Sequence, residues 1–189
     1  PVRGTIRPIL GHCNSESFKG CNDLHIGPSG EIYFTDQGQT GLHDPTGRVF
    51  RLNPDGRLDR LIANGLSPNG LVLDPRSSVL FVAMTRDNSI WRVPLMRDGG
   101  VAKVGRFAPF FGTSGPDGLA LDSKGHLLVA HASLGHVFVL APNGECIARI
   151  KSCAGPTCTN VALDEANHRL IVTESSTGSL LVADWPGDS

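Results

Sequence analysis

Nowhere does this sequence run through the roughly 20 consecutive apolar residues that a bilayer-spanning helix needs, so a helical membrane protein is not expected. It also lacks an excess of either charge. Seventeen Lys and Arg against 18 Asp and Glu leave a formal net charge of -1, which gives no broad field for nucleic acid or an anionic membrane surface. The start Pro1-Val2-Arg3-Gly4 has neither an initiator Met nor the charged-then-apolar layout of a signal peptide. Processing or truncation of a cytoplasmic protein is the expectation.

Signatures of several common site chemistries are missing as well. There is no Gly-x-Ser-x-Gly, and Ser114 and Ser133 have no readable elbow or partner, which removes the usual serine-nucleophile reading. Gly30, Gly56 and Gly144 belong to expected hairpin turns and not to a strand, loop and helix that could cradle phosphate. The five cysteines, Cys13, Cys21, Cys146, Cys153 and Cys158, are an odd set without the paired spacing of a structural zinc site. Incidental thiols are expected, with a Cys153 to Cys158 bridge as the alternative. Helical periodicity is sustained nowhere.

What is present is a repeat of roughly 45 residues, a period that dictates architecture before any local structure does. Four units open at Asn22-Asp23-Leu24, Asn69-Gly70-Leu71, Asp117-Gly118-Leu119 and Asn160-Val161-Ala162. A second β-rich run follows in each: Ile32 to Asp36, Leu80 to Met84, Leu127 to His131 and Leu170 to Glu174. Third strands are expected at Arg48 to Leu52, Ile90 to Val93, His136 to Leu140 and Leu180 to Ala183, and fourth strands at Leu58 to Ala63, Ala102 to Phe107 and Cys146 to Ile150. Asn53-Pro54-Asp55-Gly56 and Ala141-Pro142-Asn143-Gly144 read as tight reversals.

The fold class is therefore all-β: a β-propeller of four-stranded antiparallel blades, about four of them present, in a single domain or the C-terminal portion of one. The last unit stops one strand short. Either further blades complete the ring, from self-association or a complementary N-terminal fragment, or Thr5 to Leu10 supplies the missing strand and closes a ring of four.

Equivalent positions in successive blades are related by rotation about the ring axis, so Asn22, Asn69 and Asp117 are expected to converge at one mouth of the central channel. Two amides and a carboxylate offer oxygen donors, which suits a hard divalent cation. Turn preference alone would also place Asn and Asp at such positions. A second set, Asp36, Met84, His131 and Glu174, closes the second strands; its diversity reads as substrate shaping, with His131 suited to proton transfer near neutral pH.

The ordered signatures Asn22-Asp23-Leu24 with Ile32-Tyr33-Phe34-Thr35-Asp36, Ser67-Pro68-Asn69-Gly70-Leu71 and Gly115-Pro116-Asp117-Gly118-Leu119 resemble those of the SMP-30/gluconolactonase family over nearly the whole chain. That resemblance implies a six-bladed ring and a metal-dependent hydrolase opening small lactones or related esters. It implies Asn69 and Asp117 as metal ligands, Asn22 as ligand or substrate contact, and Asp117 as general base; His131 is the further substrate-binding candidate. The cation implied is Ca²⁺, with Mg²⁺, Zn²⁺ or Mn²⁺ as alternatives. A further family ligand, a Glu from an earlier blade, is absent here. An Arg found two residues before the first Asn in some sugar-lactone hydrolases is Gly20 in this chain, beside Lys19. The alternatives are a phosphotriesterase or arylesterase using the same metal cup, and a non-catalytic ligand-binding propeller.

Overall fold

Short apolar runs interrupted by Gly and Pro produce strands of two to eight residues and almost no helix. The computed structural model describes residues 4–185. A small hairpin, β1 (His12–Cys13) and β2 (Glu16–Ser17), precedes four antiparallel sheets. The first holds β3 (Cys21–Ile26), β4 (Ile32–Asp36), β5 (Gly47–Leu52) and β6 (Leu58–Gly65). The second holds β7 (Pro68–Leu73), β8 (Val79–Met84), β9 (Ser89–Pro94) and β10 (Gly105–Pro109). In the third are β11 (Pro116–Leu121), β12 (Leu127–His131), β13 (His136–Leu140) and β14 (Cys146–Lys151). The fourth contains β15 (Cys158–Asp164), β16 (Arg169–Glu174) and β17 (Ser179–Asp184).

Strands pair in chain order within each sheet, and the first strands β3, β7, β11 and β15 lie beside one another in succession. These are consecutive propeller blades with their first strands innermost. The core is divided into slabs between blades. Tyr33, Val49, Leu61 and Ile62 of the first blade pack on Leu71, Leu80, Val82 and Met84 of the second; Val72, Ala83 and Ile90 meet Leu119, Val129 and Phe138; and Leu128, Val137 and Val139 meet Val161, Leu170 and Val172. Central strands such as β8 and β12 are consequently buried on both faces, which is why their sequences are nearly continuous apolar runs.

The two expected reversals form. The Gly56 N–H donates to the Asn53 carbonyl at 2.9 Å and the Gly144 N–H to that of Ala141 at 2.8 Å, with φ of 86° and 90°, a region that a Cβ disfavours. The outer strand of the second blade runs Gly105–Pro109, later than the expected Ala102 to Phe107, because Leu95 and Val101 pair in a bridge that draws the preceding residues into the connection. Thr5 to Leu10 forms no strand, and the four-blade closure that depended on it is not made. Ile6 and Ile9 are 100% and 75% exposed, and Pro8 removes a ladder donor, so the segment has neither a core to pack on nor a full set of backbone bonds. The fourth blade has three strands among the described residues. All five cysteines are free thiols.

Candidate functional site

Each inner strand carries one residue too many for its partner at its entry. Cys21 pairs with Asp36 and Leu24 with Phe34; Pro68 with Met84 and Leu71 with Val82; Pro116 with His131 and Leu119 with Val129. Two residues, Asn22-Asp23, Asn69-Gly70 or Asp117-Gly118, therefore stand opposite one. Such a β-bulge unpairs and re-aims a side chain. The sequence motif is the bulge itself, placed at the entry of the inner strand in three successive blades.

In the fourth blade Cys158 pairs with Glu174 and Asn160 already with Thr173. Thr159, and not Asn160, is therefore the counterpart of Asn22, Asn69 and Asp117. Asn160 is instead the counterpart of Asp23, and both behave alike: the Asp23 Oδ1 accepts the Leu24 N–H and the Asn160 Oδ1 the Val161 N–H, each at 2.8 Å. The intervening blades have Gly at this place because the inner strands touch. A Cβ on Gly70 would lie 2.3 Å from the Asp117 carbonyl oxygen, and one on Gly118 would lie 2.1 Å from the Asn160 Oδ1.

Of the three expected ligands, the structure brings Asn69 and Asp117 together. Asn69 is buried, and its side chain hydrogen-bonds the half-buried Asp117 carboxyl. The third member of the group is Asp23. Its charge acts on Asp117, whose pKa is pushed up to about 7 by burial first and the Asp23 charge second, with the Asn69 hydrogen bond opposing. Burial likewise raises Asp23, against hydrogen bonds from the Leu24 and Leu71 N–H groups. Asp23 thus spans from the first blade to the inner strand of the second. The signal for it was an acid where the next two repeats carry Gly.

Asn22 turns the other way. Its Nδ2 donates to the Gln37 Oε1 at 2.7 Å, and Gln37 Nε2 donates to the Ser67 hydroxyl at 3.0 Å, so Asn22 lies on the rim and joins it to the second blade. Lys19, beside Gly20, is hydrogen-bonded to Thr46. Ser114 is a loop residue whose N–H donates to the Ser133 hydroxyl.

The second set is structural. Asp36, Met84, His131 and Glu174 are all buried, which corrects the expectation that they shape a substrate. Asp36 binds Arg48 and the Gly20 N–H. Glu174 accepts the hydroxyls and N–H groups of Ser176 and Thr177, and those bonds hold its carboxyl down at about 2. His131 has no accessible surface for a substrate: its ring packs against Phe110 and Phe138, and it contacts Asn88 and the Ser133 N–H.

Burial pushes the His131 pKa down to about 4, against a hydrogen bond to the Phe111 backbone, and this sets a pH dependence. The unfolded imidazole takes a proton below about 6.5 while the folded one stays neutral. Stability is therefore whole above pH 6.5 and falls as pH drops from about 6.5 to about 4. Urea titrations at about pH 7 and about pH 5 are expected to show a smaller acid loss in His131→Leu than in the unsubstituted chain. An equal loss would place the sensitivity elsewhere.

Two carboxylates and an amide, with the His25 imidazole acting on Asp23 from nearby, are a donor set that a hard cation neutralises. No three His, Cys, Asp or Glu side chains gather into a metal-binding group among the described residues. The site thus fits an oxygen-ligated cation completed by amides better than zinc. Asp23, Asn69 and Asp117 are the residues able to hold one.

Comparison with known proteins bears on the fold and the family. A family model described as the SMP-30/gluconolactonase/LRE-like region matches residues 1–176. A gluconolactonase of Zymomonas mobilis is 33% identical over 193 residues, spanning 93% of this chain and 53% of that protein. A lactonase, drp35, of Staphylococcus epidermidis is 32% identical over 150 residues, spanning 77% of this chain and 45% of its own length. The chain thus spans about half the length of these curated relatives. Among solved structures, a gluconolactonase from Xanthomonas campestris superposes with a TM-score of 0.80 at 26% identity, over 94% of this chain and 61% of that one. A regucalcin from Agrobacterium tumefaciens, described as calcium-binding, shares the fold with a TM-score of 0.72 at 24% identity over 89% of this chain and 63% of its own. The repeat, the bulged inner strands and the matched family region together establish that the chain belongs to the SMP-30/gluconolactonase/LRE-like family.

Proposed function

We propose that this chain carries the axial site of a lactone-opening hydrolase, with Asp117 as general base. The observation that carries the reading is the Asp117 carboxyl itself, half-buried at the entry of its inner strand, hydrogen-bonded by Asn69 and flanked by Asp23. The similarity to proteins named gluconolactonase and lactonase gives the reaction class. Asp117 accepts a proton from a water as that water's oxygen bonds to the lactone carbonyl carbon. The ring C–O bond then breaks, and the leaving oxygen takes a proton to become the hydroxyl of a hydroxy acid. Asn69 fixes the carboxyl of Asp117, and Asn22 on the rim positions the substrate body.

A divalent cation, Ca²⁺ first and Mg²⁺, Mn²⁺ or Zn²⁺ as alternatives, would be held by Asp117, Asn69 and Asp23, and when bound supplies a positive centre that favours charge on the carbonyl oxygen. Asp23 supplies the second carboxylate of the group. Opening of a panel of small lactones and aryl esters, followed by pH-stat, is the test. Lactone turnover is expected to be lost on chelation and restored by adding back one of these cations. Persistence of full turnover in chelator would remove the cation from the reading, and failure to open any lactone under every cation would remove the reading.

A further inference from the structure

Between the β4–β5 connection and the Thr85–Asp87 turn lies an open cleft of about 640 Å³ whose chemistry differs from that of the carboxylate group. Gln37, Gln39, Thr40, His43, Ser67 and Arg86 are its polar side chains, and no Asp or Glu lines it. Arg86 is its one permanently charged group. Arg48, Arg51 and Arg106 are each paired with a carboxylate, whereas Arg86 has no ion pair among the described residues.

The cleft is tied to the candidate site by the backbone that carries both. Arg86 stands on the short turn Thr85–Asp87, and its N–H donates to the Leu66 carbonyl at 3.1 Å, next to Ser67-Pro68-Asn69. Thr85, one residue earlier, donates its hydroxyl to the Pro116 carbonyl at 2.8 Å, one residue before Asp117. Gln37 forms the shared wall, bonded to Asn22 on one side and Ser67 on the other. The floor is fixed too: the buried Thr40 hydroxyl donates to the Gln37 carbonyl at 2.6 Å and accepts the Ser67 N–H at 3.1 Å. Between His43 and Arg86 stands Gly41, where a Cβ would come within 3.5 Å of both side chains.

A cleft with an uncompensated guanidinium, an imidazole, amides and hydroxyls, and without acids, is built for an anion that also bears hydroxyl groups. We infer that the cleft takes the body of a carboxylate-bearing lactone, of the kind formed from a dicarboxylic sugar acid, with Arg86 anchoring the free carboxylate while the lactone carbonyl faces Asp117. This deepens the lactone-hydrolase reading and rests on it for the second half of the statement only.

The test compares kcat/KM for a lactone with a free carboxylate and for a neutral lactone of the same ring size. In Arg86→Gln the ratio of the two is expected to fall about ten- to a hundredfold, the loss of a charge-assisted pair. Arg76→Gln, which removes an equal charge from the β7–β8 turn at the opposite end of the blade, is expected to leave the ratio within about twofold. A shift of less than about threefold in Arg86→Gln, or an equal shift in Arg76→Gln, overturns the inference. A second arm reads binding without chemistry: calorimetric titration of a dicarboxylic sugar acid into the chain and into Arg86→Gln. Binding that weakens at least about tenfold in Arg86→Gln while no lactone is opened would sink the hydrolase reading and keep the anion cleft. Binding that is absent, or indifferent to Arg86, would sink the cleft whatever the turnover.

Discussion

Replacing Arg48 with Leu is expected to destabilise the protein by about 3–5 kcal/mol, because it strands a buried carboxylate. Asp36 is fully buried at the end of β4 and receives the Arg48 Nε at 2.7 Å and the Gly20 N–H at 2.8 Å. The same guanidinium reaches out of the blade, with Nη1 bonded to the Glu16 carboxylate at 2.9 Å and Nη2 to the Ser17 carbonyl at 2.8 Å. One side chain therefore closes the first blade and fastens the β1–β2 hairpin across it. Beyond the hairpin, Phe18 sits edge-on to Phe34 and Phe50, with ring centroids 5.4 Å away in each case.

Loss of Arg48 would leave Asp36 with the Gly20 N–H alone and would free the approach to Asn22 and Asp23. The double substitution Arg48→Leu with Asp36→Leu removes both charges and is expected to recover much of the loss, since a buried pair breaks badly when one partner is removed and comparatively well when both go. Equilibrium urea unfolding of the two variants checks both parts. A loss below about 1 kcal/mol in the single variant would mean that water reaches Asp36 and that the hairpin is not held by this network.

Most of the blade architecture is legible in the sequence because it is repetitive. Each run such as Leu80 to Met84 or Leu127 to His131 states its own strand, and the Pro-Asp-Gly and Pro-Asn-Gly turns state where the chain reverses. The failures share a cause: they depend on pairing, which a single strand does not display. Thr5 to Leu10 has the composition of a strand and no neighbour to bond. Asn160 looks like a fourth copy of Asp117, yet a bulge shifts the register by one residue and gives that place to Thr159. Asp23 was hidden for the same reason, standing as the companion of Asn22 until the bulge placed it next to Asn69 and Asp117 in neighbouring blades. The diversity of Asp36, Met84, His131 and Glu174 reflects four different internal fastenings and not a ligand, and only burial reveals that. Gln37, which connects Asn22 to Ser67, lies in a loop with no pattern to announce it.

Asp117→Asn is expected to reduce lactone turnover by about 10²- to 10⁴-fold, the usual contribution of a positioned general base. The amide keeps the shape of the carboxyl and a bonding partner for Asn69, but it cannot take a proton from water. Stability should move the other way. In chelator, Asp117 is a half-buried acid beside the Asp23 charge, with one side-chain hydrogen bond from Asn69 to offset burial. Removing its charge relieves that repulsion, and the variant is expected to be more stable than the parent by about 1–2 kcal/mol at neutral pH. A purely structural Asp would give the opposite pair of results, with turnover nearly retained and stability lost. Asp23→Asn separates the two carboxylates: it relieves the same repulsion but leaves the base in place, so its turnover should exceed that of Asp117→Asn and its loss should be partly recovered by raising the cation concentration. If Asp23→Asn were the more damaging substitution at saturating cation, the base would be Asp23, and the proton would leave the water from the side of the first blade.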